Sequence, residues 1–240
     1  MKVLKEKIER QLTLKSHSVT DEDLEKINEY ALEPLTADEI YAFKVVMGDN
    51  ELDDRNNMPF TSNGLKDLQR LYPGKPFIMA HNDRDVKSLF ARIYDTELSI
   101  DDTKRTSAEE PYTALIGKCY MAISADNESL RADIKAGIKK EVSTGFRCSS
   151  LKCSICGKDN CVDECKHWPG RVYAKNGMDT KCQMLIDGCS EAYELSLVTI
   201  PAQPRAGTIK SAEGAPEDPE AETSAHDSEK LRLELELLSL

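Results

Sequence analysis

The sequence predicts an α+β fold: a mixed, largely antiparallel β-sheet or barrel with a few flanking helices and a small cysteine-rich insertion. Three observations lead there. Short apolar runs of strand length recur between residues 40 and 200, separated by clusters of Pro, Gly, Asn and Asp. Only a few windows carry the i, i+4, i+7 apolar spacing of a helix, so strands dominate and the helices stand beside them. Cys119 apart, every cysteine falls between Cys148 and Cys189. With 240 residues, 40% hydrophobic and 31% charged, the chain has the size and composition of one core with a small appendage.

Residues 1–36 read as a helical arm of two short helices. Val3, Leu4, Ile8 and Leu12 follow helical spacing, and Leu24, Ile27, Tyr30 and Ala31 repeat it after a cap at Thr20 with Asp23 three positions on. Pro34 ends the region. Ile40–Met47 is a strand, followed by an acidic loop to Met58. Thr61 or Ser62 caps a helix through Leu65, Leu68 and Leu71, which Pro73-Gly74 stops. Phe77–Ala80 is a short apolar strand ending at His81. Further strands are expected at 89–98 and 114–123, a helix at 126–138, and strands at 141–147, 182–186 and 193–200. Beyond Ala206 the composition turns to Ala, Glu, Pro, Ser and Asp, which bury too little apolar surface to order. Residues 208–240 therefore read as a flexible acidic tail. Its Leu-rich end, 231–240, suits a strand by alternation and a helix by composition.

Charge and apolar content exclude several classes. The net charge is −11, against the phosphate contacts by Lys and Arg that drive nucleic-acid binding. Part of that imbalance is local, since Ser211–Glu229 holds seven acids and neither Lys nor Arg. No apolar run approaches the roughly 18 residues of a membrane span. The charged, amphipathic start lacks the apolar core of a secretory signal, so a cytosolic site of synthesis is expected. Cysteines in a reducing compartment call for a reason other than disulfides.

Three side chains near apolar strands could share one chemistry. Ser143 lies in Glu141-Val-Ser-Thr-Gly-Phe146, where alternation sends Val142, Thr144 and Phe146 one way and Ser143 and Gly145 the other. A small residue two positions from a serine leaves room for a carbonyl to approach, although a surface hydroxyl is the commoner reading of Ser-x-Gly. His81 emerges from Phe77-Ile-Met-Ala80 into a polar turn, a place suited to a general base. A hydrogen-bonded turn histidine would look the same. Glu194 sits in Tyr193-Glu-Leu-Ser-Leu-Val-Thr-Ile-Pro-Ala202, where an unpaired buried carboxylate would be costly. It either orients His81 or faces water from an edge strand, and Glu191 competes for the first role.

Those segments, in that order, resemble the capsid-maturation (prohead) serine proteases of tailed bacteriophages, whose fold is like that of herpesvirus assemblin. In that family a histidine closes an apolar strand, a Ser-x-Gly-aromatic strand carries the nucleophile, and Glu-hydrophobic-Ser-Leu-Val-x-x-Pro-Ala ends the fold. The resemblance spans about residues 40–207 and implies a protease domain at 37–207. It assigns Ser143 as nucleophile, His81 as base and Glu194 as third member, with Arg147 as a weaker oxyanion contact. The implied substrates are the scaffold, the scaffold segment of the major capsid protein and the enzyme itself. Cleavage would occur inside the assembling prohead in the host cytoplasm, and the assemblin likeness makes a homodimer reasonable. Two departures stand out: Thr144 replaces a more usual aliphatic residue, and a long cysteine-rich insertion at 148–190 precedes the last strand.

That insertion carries its own signal. Cys153-x2-Cys156-Gly157 is a zinc knuckle, with two thiolates clasping one side of a tetrahedral ion and a glycine allowing the tight turn. Cys165 and His167 are the natural second pair, with Cys161 and Cys182 as alternates. Four protein ligands leave no open position, so such a zinc is expected to be structural. The insertion also supports another reading, a non-catalytic zinc-knuckle assembly protein that binds other capsid proteins.

Overall fold

The structure, a computed structural model, describes residues 19–209. The first expected helix, the acidic linker and the Leu-rich end lie outside them. Helix α1 (Asp21–Asn28) starts as the sequence predicts. Thr20 Oγ1 accepts from the Asp23 N–H at 3.1 Å, and the Asp23 carboxylate accepts from the Thr20 N–H at 3.3 Å. These bonds satisfy amides that a helix start leaves without partners. Ile27 then packs with Ile40, Ala42, Tyr94 and Tyr120 in a small satellite core.

The strands in chain order are β1 (Ile40–Asp49), β2 (Pro76–Met79), β3 (Ala91–Arg105), β4 (Pro111–Ala122), β5 (Val142–Cys153), β6 (Val172–Lys175), β7 (Met178–Lys181), β8 (Met184–Leu197) and β9 (Gly207–Thr208). Seven form one mixed sheet in the order β5-β8-β2-β3-β4-β1-β9. Neighbours are antiparallel except β2 and β8, which run parallel with Phe77 beside Leu195 and Met79 beside Leu197. Helix α2 (Ser62–Leu71) is capped by Thr61 and buries Leu65 and Leu68 against the sheet. Its Gly64 lies so close to the Ile186 carbonyl that no β-carbon would fit. Helix α3 (Glu128–Lys135) adds Ile134 to the main core.

Several expectations change. The sheet does not close into a barrel. Its two edges touch at one end only, where Glu141 bridges Gly207 and the Thr208 N–H donates to the Lys140 carbonyl at 2.8 Å. The strands expected at 182–186 and 193–200 are one strand, β8, whose pairing with β5 absorbs several register shifts. Such bulges bend a strand without ending it. Since β5 runs on to Cys153 and β8 begins at Met184, residues 148–153 and 184–190 belong to the main sheet. The inserted part is 154–183, which includes the β6–β7 hairpin. Strands β3 and β4 are longer than expected and form an extended antiparallel pair. Among the described residues, no helix is long and apolar enough to cross a membrane.

A strap, residues 201–208, crosses one end of the sheet. Arg205 anchors it, donating from Nε to Asp49 Oδ2 at 2.7 Å and from Nη2 to Asp53 Oδ1 at 2.7 Å. Asp49 is buried and also accepts from the Tyr112 hydroxyl at 3.1 Å. Gln203 completes the join, accepting from the Asp49 N–H at 2.7 Å and donating to its carbonyl at 3.2 Å.

Candidate functional site

The parallel pairing of β2 with β8 brings His81 to Glu194. The chain leaves β2 through two consecutive residues in the left-handed region, Ala80 (φ 52°) and His81 (φ 55°). Non-glycine residues adopt that conformation at a cost of about 1–2 kcal/mol each, so other contacts must hold the turn. The Ala80 N–H donates to the Leu197 carbonyl at 2.9 Å, and the His81 N–H donates to Ser196 Oγ at 2.6 Å. The buried Ser196 hydroxyl donates onward to the Ile78 carbonyl at 3.4 Å. Ser196 thus serves the turn and not the solvent.

So held, His81 Nδ1 meets Glu194 Oε1 at 2.7 Å. The carboxylate is buried and the imidazole is about half exposed, with 46% of its side-chain surface accessible. Glu194 Oε2 is buried without a hydrogen-bond partner. Burial raises the Glu194 carboxyl above its ordinary range, and the bond and charge of His81 work against that rise. A carboxylate so placed fixes the imidazole's orientation and keeps the proton on Nδ1, leaving Nε2 as the free base.

Register places Ser143 on the same face. In the β5–β8 pairing Ser143 lies opposite Ser196 and Gly145 opposite Glu194, and directly opposed side chains in an antiparallel pair share a face. A β-carbon on Gly145 would collide with the Glu194 carboxylate. Glycine there is what lets the acid lie flat across β5. The Ser143 hydroxyl makes no hydrogen bond to His81 or to any other group among the described residues. Tyr72, fully buried at the end of α2, shares its hydroxyl between the carbonyls of Gly145 (3.0 Å) and Glu194 (3.2 Å). Burial, reinforced by the nearby Glu194, holds that phenol well above its ordinary range, so it stays a donor.

The competing acid is otherwise engaged. Glu191 lies 3.8 Å from Arg147, whose Nε donates to the Tyr193 hydroxyl at 3.0 Å. An oxyanion role for Arg147 would require it to leave both partners.

Cys119 apart, which is buried in the main core, the thiols fall into two groups. Cys153, Cys156, Cys165 and His167 present ligand atoms that all lie within 4.8 Å of one another. This cluster could hold a metal ion. Cys153 ends β5, and the Gly157 N–H returns to the Cys153 carbonyl at 2.8 Å with Gly157 at φ 75°, which makes the knuckle turn. Asn160 Oδ1 accepts from the Cys165 N–H at 2.9 Å, and Tyr173 packs edge-on against the His167 ring at 4.6 Å. The buried His167 Nδ1 has no hydrogen-bond partner. An orphaned buried imidazole nitrogen among three thiols fits a tetrahedral ion such as zinc.

Of the alternates, Cys182 has its sulfur 4.0 Å from that of Cys153 but lies outside the four. Burial first, then Cys153, pushes its thiol up to about 12. Cys161 also lies outside the four, its sulfur 4.0 Å from the carbonyl of Cys148. Cys148 faces Cys189 across the β5–β8 ladder, and burial foremost raises these thiols to about 11 and about 12.

No family model matches the chain, no curated protein matches its sequence, and no solved structure matches its fold.

Proposed function

We propose that this protein is a serine endopeptidase, with Ser143 as nucleophile, His81 as general base and Glu194 as the acid that orients it. The observation that carries the reading is the 2.7 Å contact between His81 Nδ1 and Glu194 Oε1, on the face that the β5–β8 register gives to Ser143. In the reaction, Ser143 Oγ attacks the scissile carbonyl carbon while His81 Nε2 takes its proton. The imidazolium, stabilised by Glu194, then passes that proton to the leaving nitrogen as the C–N bond breaks. Water, deprotonated by the same nitrogen, hydrolyses the acyl-enzyme. Apo sites often hold the nucleophile–base contact longer than a hydrogen bond, and substrate tightens it. The likeness of the three segments to prohead proteases extends the proposal to scaffold and capsid-protein segments as substrates, cleaved during capsid maturation. Arg147 enters it as a secondary oxyanion contact.

The Cys153, Cys156, Cys165 and His167 cluster enters the proposal as a structural zinc site. A second reading, a non-catalytic zinc-knuckle assembly protein that binds capsid proteins, draws on the same cluster and on the unbonded Ser143 hydroxyl. A fluorophosphonate separates the two. Intact-mass analysis should show one covalent adduct, mapped to Ser143, absent in Ser143→Ala and strongly slowed in His81→Ala. Labelling that is equal in all three proteins, or absent from the wild type, would favour the binding module.

A further inference from the structure

A cavity of about 520 Å³ opens at the end of the sheet where β2 and β8 finish and β5 starts. His81 forms part of its wall, with Met79, Ile138, Glu141, Leu197 and Val198. Its relation to Ser143 follows from register. Ser143 lies opposite Ser196 and Val142 opposite Leu197. The next residues along are Glu141 and Val198, joined by the Val198 N–H, which donates to the Glu141 carbonyl at 3.0 Å. Alternation turns these two toward the face that carries Ser143. Two residues of strand span about 7 Å, so the cavity begins one or two substrate residues from the reacting hydroxyl.

The lining says what such a cavity takes. Met79, Ile138, Leu197 and Val198 make it largely apolar. Ile138 is 70% exposed there, so an incoming side chain would cover apolar surface that now meets water. Lys139 and Glu141 bring one charge of each sign, and Lys139 already pairs with Asp133 at 2.8 Å. Neither sign of substrate charge is thereby favoured.

Resting on the endopeptidase reading, we infer that this cavity receives a bulky apolar side chain of the substrate, carried by a residue within two positions of the cleaved bond. Leucine, isoleucine, methionine and phenylalanine are the side chains it fits. Seated there, such a residue lies against His81, whose imidazole must reach both the serine proton and the leaving nitrogen. The cavity thus positions the bond to be cleaved.

The test is a randomised peptide library digested by the full chain, with both new termini read by mass spectrometry and Ser143→Ala digested in parallel. One position within two residues of the Ser143-dependent cleavage point should be dominated by those four residues. Ile138→Glu, which places an acid on the cavity rim, should turn the preference at that same position toward lysine and arginine. It should also lower kcat/KM for the best wild-type peptide by about tenfold, the scale of one or two methylenes in a pocket. Labelling of Ser143 by diisopropyl fluorophosphonate, which is too small to reach the cavity, should keep its wild-type rate in that variant. A cleavage profile unchanged by Ile138→Glu, or Ser143-dependent cleavage without an apolar position near the bond, would overturn this inference alone. Absence of any Ser143-dependent product would overturn the endopeptidase reading and the inference with it.

Discussion

At Gly145 the candidate site tolerates nothing larger, because the Glu194 carboxylate occupies the space a side chain would need. Gly145→Ala should therefore push the acid off His81 while leaving the strand intact. On the endopeptidase proposal, activity should fall toward that of Glu194→Gln, for which loss of the orienting carboxylate predicts a drop of about 10⁴ in kcat. The check is kcat on one peptide for both variants, beside their circular dichroism spectra. A Gly145→Ala enzyme of wild-type activity would break the link between glycine and acid. A different residue contributes to stability in a way that acid removes. Burial works to raise Asp95, but hydrogen bonds from Lys26 (2.9 Å) and Lys118 (3.2 Å) outweigh it and hold its carboxyl low. Its folded pKa lies below the unfolded one, so its stabilisation is complete above the unfolded value of about 3.9 and disappears as pH falls through the folded value. Asp95→Asn should lower the urea midpoint at pH 7, and the gap to wild type should close as pH falls below the unfolded value of about 3.9. A constant gap across that range would contradict the assignment.

Helix and strand readings succeeded where the signal is local. The capping box at Thr20 and Asp23, the cap at Thr61, and the apolar run before His81 all form as their residue types require. The errors lie where tertiary pairing overrides propensity. Asp187 and Gly188 in β8 resemble a strand break, yet Asp187 pairs with Lys152 and accepts from Thr61 at 2.7 Å, so the strand continues. Nor does the sequence announce Tyr72, whose hydroxyl stitches β5 to β8 beside the bulge at Gly145. Tyr72→Phe should cost about 1–3 kcal/mol, the penalty for a buried polar group left unsatisfied, measured by urea denaturation. The inserted hairpin has a small core of its own, little more than Cys153, Cys182 and Met184 with a few half-buried neighbours, so on the structural-zinc proposal it should depend on the metal. Stripping metal should change Trp168 fluorescence and speed amide exchange over 154–183, with β1–β4 still protected. One zinc per chain, by elemental analysis, should restore both. Exchange that is unchanged on chelation would remove the structural-zinc proposal.

The whole molecule was legible as a mixed, largely antiparallel sheet or barrel with helices beside it, but the sequence did not choose between sheet and barrel. Alternation shows which face of a strand is apolar and is silent about which strand lies next to it. The parallel β2–β8 neighbour pair, on which the site depends, therefore left no trace in local pattern. The strap was equally hidden, because Arg205 and Asp49 are 156 positions apart. Arg205→Met should destabilise the chain by about 3–5 kcal/mol, since it leaves Asp49 a buried charge without its cation. Equilibrium unfolding would show this, and a loss below about 1 kcal/mol would mean the strap is held mainly by its backbone bonds.

The imidazole and carboxylate of the candidate site are separated by 113 positions in the chain. During synthesis, β2 would emerge from the ribosome long before its parallel neighbour exists. A nascent chain lacking β8 has neither the acid nor the serine that seats the His81 turn. Whatever chemistry the pair performs is thereby withheld until nearly all of the folded body has been translated. Timing of that kind needs no inhibitor or propeptide, because strand order alone imposes it.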